Sequence, residues 1–234
     1  MGGKFSEEEI AAVQSKYPRL GFPERGVCRG ILDLHARFRD VERRDEFNIE
    51  IIAATDHPGS VPRLREIGGR TQRIAEKYGL TEIGDLHQNS RDGSACVCVK
   101  QEEARRFPPG SELFCFVEEL AVPYLFGISF FDENGKWPWA EYSHGTLSIV
   151  EFCGDNAPST AELHVSIKQI QADENWREYS RQIRKPSAMR KCVCGSGKPF
   201  LHCHRLAWYG ITKLHDCIAA LGLNQRSYLQ KQRP

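Results

Sequence analysis

The chain has 234 residues, 40% hydrophobic and 27% charged, with a net charge of +1. That composition is ordinary for a globular protein of one medium domain with an appendage, or of two small domains. No run of about 18 apolar residues predicts a membrane-spanning helix, and the N-terminus lacks an apolar signal core, so neither a membrane span nor export is expected. Nine cysteines without an export signal point to a reducing compartment, the cytoplasm, where they serve as ligands, nucleophiles or buried hydrophobes. In chain order, Ser6 and Glu9 form a capping box for a first helix that runs to about Tyr17 and stops at Pro18. Residues 32–38 and 47–53 alternate apolar and polar side chains and predict two half-buried strands, with the charged residues 40–45 as the hairpin between them. Residues 63–67 predict a third strand, and residues 71–78 a short helix capped by Gly79. Ser111 is placed as the cap of an apolar helix to Leu120, which Pro123 kinks or breaks. Residues 146–152 predict a short strand. Ser159 and Glu162 form a second capping box for a helix to about Gln171, and the charged segment to Lys185 continues helical. Leu206, Tyr209, Leu214, Cys217, Ile218 and Leu221 predict a closing amphipathic helix. Strands segregate from helices, which gives an α+β class with a domain over residues 1–180 and a small module over 186–234.

Two stretches carry chemistry. The first holds Cys192, Cys194, Cys203 and His204 within 13 residues, with a Gly195-Ser196-Gly197 turn between the two pairs. A tetrahedral Zn²⁺ takes four N or S ligands, and such a turn folds two short ligand pairs onto one metal. The stretch resembles the SEC-C motif, named for its place at the C-terminus of the SecA translocation ATPase. That pattern is Cys-x-Cys-x-Ser-Gly, a short spacer, then Cys followed by His or Cys, and these positions are all present here, the spacer being the five residues 198–202. The resemblance implies a structural zinc held by these four residues and no particular activity.

The second stretch runs from Asp85 to Cys98 and contains His87, Asn89, Asp92-Gly93, Cys96 and Cys98. A cysteine just past a polar, turn-rich loop is placed as a nucleophile must be. An upstream amide such as Asn89 can serve as an oxyanion donor, and a nearby histidine such as His87 can lower a thiol pKa or take a proton. Against these stand a buried strand cysteine at position 96 and an Asx-turn asparagine at position 89. The remaining cysteines, Cys28, Cys115, Cys153 and Cys217, sit singly among apolar residues and are read as core. His144, in the aromatic segment 137–145, is read first as part of a packed loop, with a substrate groove as the alternative.

The stretch resembles the active site of ubiquitin-conjugating enzymes, which have His-Pro-Asn, a short loop, then Gly-x-Ile-Cys-Leu. Here the order is His87-Gln88-Asn89, a short loop, then Gly93-Ser94-Ala95-Cys96-Val97. His57-Pro58-Gly59-Ser60-Val61-Pro62 occupies the place of the family's Tyr-Pro-Phe-x-x-Pro-Pro turn. Gln88 replaces the family's proline, the loop is one residue shorter, residues 68–84 form an insertion and residues 137–145 are foreign to the eukaryotic family. The whole is similar to a divergent bacterial branch, some of whose members are encoded in antiphage (CBASS-type) operons beside a cGAS/DncV-like nucleotidyltransferase. The resemblance implies Cys96 as the thioester-forming nucleophile, with Cys98 as its rival or disulfide partner. It implies Asn89 as support for the tetrahedral intermediate or the loop, and His87 as packing for the loop. It implies the nucleotidyltransferase's C-terminus as the group carried; because the chain has neither a Gly-rich adenylate site nor a second catalytic domain, this reading needs a separate activating enzyme or a partner already activated. A non-catalytic binding module of the same fold is the alternative, and a Cys-x-Cys redox or nucleic-acid protein the third. Residues 181–234 hold eleven Lys/Arg against one acid, Asp216, while the rest of the chain holds 21 basic and 30 acidic residues. The tail has no stripe of aromatics interleaved with its cations, so nucleic acid is not expected.

Overall fold

A computed structural model of the chain describes residues 3–81, 83–89, 91–156 and 158–229. It divides into two compact units, Met1–Ala140 and Glu141–Pro234. The division lies upstream of the boundary expected at residues 180–186, so the helices after Ala140 belong with the cysteine-histidine module.

The first unit opens with α1 (Glu7–Lys16), whose capping box is complete: Ser6 Oγ accepts from the Glu9 amide and Glu9 accepts from the Ser6 amide. Glu9 is buried and does more than cap. Its Oε1 also accepts from the Leu113 amide at 2.8 Å and lies 2.8 Å from His57 Nε2, which ties the helix to two remote segments. The sheet is an antiparallel meander of β1 (Leu20–Glu24), β2 (Val27–Phe38), β3 (Val41–Ile52) and β4 (Arg63–Glu66), in that spatial order. β1 escapes the alternation rule because Pro23 sits in it where the register against β2 shifts. Proline is tolerated on an edge strand, where one missing amide breaks no ladder.

β2 and β3 pair from Val27↔Ile52 to Phe38↔Val41, so only Arg39 and Asp40 turn the hairpin, Arg39 at φ 53°. The charged residues expected to form a loop are strand instead. Glu42, Arg44 and Glu46 lie on the solvent face with Asp33 and His35 opposite, whereas Arg43 and Asp45 share the other face with Phe47, Ile49 and Ile51. There Asp45 pairs with Arg70 at 2.6 Å and accepts from Ser129, and Arg70 also meets Asp132 at 3.0 Å. Paired inward charges lie in a sheet without an uncompensated desolvation cost. On that face Cys28, Leu32, Leu34, Phe47, Ile49, Ile51 and Leu64 form the floor of the core.

α2 (Arg70–Tyr78) starts at Gly69 with no side-chain cap of its own. The Glu66 carboxylate supplies one from the end of β4, accepting from the amides of Gly68, Arg70 and Thr71. A 3₁₀ turn (Ile83–Leu86) and α3 (Glu103–Arg106) bracket the cysteine loop. The roof of the core is one helical span, Leu113–Asn134, made of α4 (Leu113–Phe116), a wide π-type turn (Val117–Ala121) and α5 (Val122–Asn134). Pro123 therefore neither breaks nor ends the helix. The wide turn just before it relieves the clash that a proline ring makes with the preceding turn. The span has 22 residues and is long and apolar enough to cross a membrane, contrary to the sequence expectation, yet 61% of its most apolar window is buried within the structure. Phe116, Leu120, Leu125, Ile128 and Phe131 are its buried contacts, as in a core helix.

The second unit is helical: α6 (Thr146–Asp155), α7 (Thr160–Ala172), α8 (Trp176–Arg184), α9 (Phe200–Cys203), α10 (Arg205–Ala220) and α11 (Gln225–Tyr228). Residues 146–152 are thus helix and not strand. A short apolar run carries no period that distinguishes the two, and here Leu147, Val150, Phe152 and Cys153 are all buried. α6 and α10 cross at Gly154 and Gly210. A Cβ on Gly210 would stand 1.7 Å from the Val150 carbonyl oxygen, so only glycine permits this approach. The buried face of α10 is Ala207, Gly210, Ile211, Leu214 and Ile218, while Tyr209 and Leu221, expected to be inward, are exposed.

Candidate functional site

The cysteine loop is a small hairpin stitched to itself and to β4. The Cys96 amide donates to the His87 carbonyl at 2.7 Å, the Asn89 amide to the Ser94 carbonyl at 2.8 Å, and the Ala95 amide to the Leu64 carbonyl of β4 at 2.8 Å. Position 96 is consequently no buried strand residue: the residue is exposed at the surface, although its thiol is packed enough among neighbouring atoms to be partly desolvated, while Cys98 is half-buried. Cys96 Sγ lies 3.7 Å from the Cys98 carbonyl oxygen.

The expected helpers are placed differently from one another. The Asn89 amide donates to Ser94 Oγ at 2.9 Å and to the Ser94 carbonyl at 3.2 Å, and Asp92 accepts from Ser94 in turn. Asn89 thus closes the loop, and its donors are engaged there. His87 adopts φ 50°, a left-handed backbone uncommon for a side chain of its size. Its ring meets Trp137 edge-on at 4.6 Å. Burial, and after it the Glu103 carboxylate of α3, raises Cys96 above the ordinary thiol value. Burial with Glu103 and Glu102 pushes Cys98 up to about 12. Desolvation and negative neighbours both disfavour a thiolate. Glu103 itself pairs with Lys100.

The sequence reading missed the residues that hold the loop from behind. Trp137 Nε1 donates to the Asp85 carbonyl at 2.9 Å, and the Tyr124 hydroxyl donates to the Leu86 carbonyl at 3.1 Å. Trp137 and Trp139 pack into an aromatic cluster with Phe38, Phe126 and Phe131 rather than lining an open groove. Contacts over this sequence separation leave no local signal; the only hint is a tryptophan pair soon after an apolar helix.

In the second unit Cys192, Cys194, Cys203 and His204 converge, with all four ligand atoms within 4.8 Å of one another. Cys192 Sγ lies 3.3 Å and Cys203 Sγ 3.2 Å from His204 Nδ1, and Cys194 Sγ lies 3.5 Å from Cys203 Sγ. Zinc bonds of about 2.3 Å to sulfur and about 2.0 Å to nitrogen give tetrahedral edges of roughly 3.5–3.8 Å, close to these separations. Gly195 and Gly197, at φ 80° and 73°, turn the chain between the pairs. The Cys192 amide donates to the Lys198 carbonyl at 2.8 Å, which closes the knuckle. Buried Phe200 anchors α9, which carries Cys203, and α10 begins just after His204. Burial pushes Cys192 up to about 12; at Cys194 burial is outweighed by hydrogen bonds from Ser196 and from the neighbouring thiols, which lower it to about 6. Three sulfurs and an imidazole packed this closely form a donor set compatible with a metal ion such as zinc.

Protein-family models, curated proteins and solved structures offer no match to this chain. Functional reading accordingly rests on the two sites.

Proposed function

We propose that this is a cysteine-dependent acyl carrier, similar to ubiquitin-conjugating enzymes, with Cys96 as its nucleophile. The observation that supports it most is an exposed cysteine at the end of a loop whose backbone is pinned on both sides, next to a four-stranded antiparallel meander. In the forward step the Cys96 thiolate attacks the thioester carbonyl of an activated protein C-terminus. The tetrahedral oxyanion collapses, expelling the donor's thiolate, and the Cys96 proton leaves to solvent. An acceptor amine then attacks, forms an amide and releases Cys96. A thioester suits this because it stays reactive toward amines. The activated C-terminus comes from a partner, on the family resemblance a cGAS/DncV-like nucleotidyltransferase, and activation comes from a separate enzyme. Nine free cysteines suit a cytoplasmic location. The metal in the second unit is zinc in a structural role, since four protein ligands leave no open position.

The raised Cys96 thiol and the engagement of Asn89 with Ser94 favour a second reading, a binding module that grips the same partner without chemistry. Co-expression with operon neighbours, followed by non-reducing gels and mass spectrometry of wild type, Cys96→Ala and Cys98→Ala, separates the readings. An adduct lost in Cys96→Ala, labile to hydroxylamine, supports the carrier. Loss only in Cys98→Ala moves the nucleophile two residues. An unmodified partner co-purifying with all three supports the binding module.

A further inference from the structure

Between Asp85 and Cys96 the backbone is held by a short relay. The 3₁₀ turn offers two carbonyls to the core behind it, Asp85 to the Trp137 indole and Leu86 to the Tyr124 hydroxyl. The next residue, His87, donates its amide to Gly84 at 2.8 Å, rests its ring on Trp137, and accepts the Cys96 amide. Trp137 is itself seated by a notch in α5: a Cβ on Gly127 would stand 1.9 Å from its ring. Trp137 is 7% exposed and Tyr124 5%.

We infer that Trp137, seated on Gly127, is a positioning residue for Cys96, acting through Asp85 and His87 to hold the thiol in the geometry that an incoming carbonyl requires. The inference rests on the reading of Cys96 as the nucleophile. Trp137 touches no reacting atom. It fixes the carbonyl of Asp85 and the ring of His87, and His87 fixes the amide of Cys96. An edge-to-face aromatic contact adds to the burial of the ring, and the hydrogen bond satisfies an indole N–H that would otherwise be buried without a partner. The start of the segment 137–145, foreign to the eukaryotic conjugating family, thereby braces the cysteine loop from the core side.

The test uses the full chain and two readouts, adduct formation and the pH profile of Cys96 alkylation by iodoacetamide, located by tandem mass spectrometry. The groups that bear on the Cys96 profile are Glu103 of α3, Cys98 beside it and Tyr124 of α5, with Lys100 paired to Glu103 and His87 at the loop's start. Trp137→Phe replaces none of these residues. It keeps a ring on Gly127 and deletes the bond to Asp85. Gly127→Ala keeps the indole but unseats it. Trp139→Phe alters the same aromatic cluster without touching Asp85 and serves as the control. Trp137→Phe is expected to admit water around the loop and move the alkylation midpoint to lower pH, while adduct formation slows by roughly fivefold, the worth of one net hydrogen bond. Gly127→Ala shifts both readouts the same way, and Trp139→Phe shifts neither. A midpoint unchanged in folded Trp137→Phe, or one moved equally by Trp139→Phe, overturns the inference. Alkylation needs no partner, so a wild type that forms no adduct sinks the carrier reading while the midpoint still decides the role of Trp137.

Discussion

Single side chains in this protein are often committed to backbone groups far away, and those commitments decide what a substitution costs. Asn89 spends its amide on Ser94, so Asn89→Ala removes two loop hydrogen bonds and is expected to cost about 1 kcal/mol. Alkylation of Cys96 at fixed pH persists in that variant; its abolition would show that the amide serves the thiol directly. Gly210 is more severe. The methyl of Gly210→Ala would collide with the Val150 carbonyl, and forcing apart two packed helices costs about 1–3 kcal/mol. Chemical denaturation should therefore show a lowered midpoint for the helical unit, and an unchanged midpoint would refute the close crossing. The cysteine-histidine cluster, which could hold a metal ion, was legible from the chain alone because all four residues lie within 13 positions and the glycines between them mark the turn. Trp137 was not, because its partner Asp85 stands 52 residues away and neither residue type advertises the other.

At the level of elements, the β2–β3 hairpin shows where pattern reading succeeds and where it stops. Alternation of apolar residues revealed both strands, but the charged segment near the turn looked like loop. Its inward charges are strand residues because partners arrive from two helices, Arg70 from α2 and Glu133 from α5. Strand β1 was invisible for a related reason, since Gly21 and Pro23 disrupt the pattern that an edge strand has no need to keep. The Asp45–Arg70–Asp132 network gives a pH signature. Burial works against the Asp45 carboxylate, but hydrogen bonds from Arg70, Ser129 and the Glu46 amide prevail and hold it below the usual aspartate range. A carboxyl depressed in the folded state stabilises at pH above its unfolded value of about 3.9 and loses that contribution as pH falls through the folded one. Acid titration of stability should therefore be steep below about pH 4 in wild type. Arg70→Ala should be flatter there and less stable at neutral pH, where Asp45 and Asp132 lose their shared cation. Equal acid slopes for the two proteins would remove Asp45 from the account.

For the molecule as a whole, each unit has its own means of holding together. The first relies on an apolar core between sheet and helices. The second surrounds its ligand cluster with helices, and structural zinc in small modules contributes about 10 kcal/mol or more of folding free energy. Chelation is expected to collapse hydrogen-exchange protection around residues 190–204 while residues 27–52 keep theirs. Cys192→Ser should mimic the chelator and leave Cys96 alkylation unaltered. Uniform loss of protection, or none, would count against a structural metal confined to this module. The α+β class was legible because strand-like and helix-like segments separate along the chain. The unit boundary was not, because residues 146–152 read as strand and so seemed to belong to the sheet.

The meander has a temporal consequence. Every strand pairs with its neighbour in the chain, so the sheet can zip without closing long loops, which favours rapid formation. The cysteine hairpin waits on later events, because its brace joins Trp137 to Asp85 and its seam joins Ala95 to a finished β4. A nascent chain would thus complete its sheet first and set its reactive thiol last. Pulse labelling with a thiol reagent during refolding should find Cys28 shielded by the sheet while Cys96 is still unsettled.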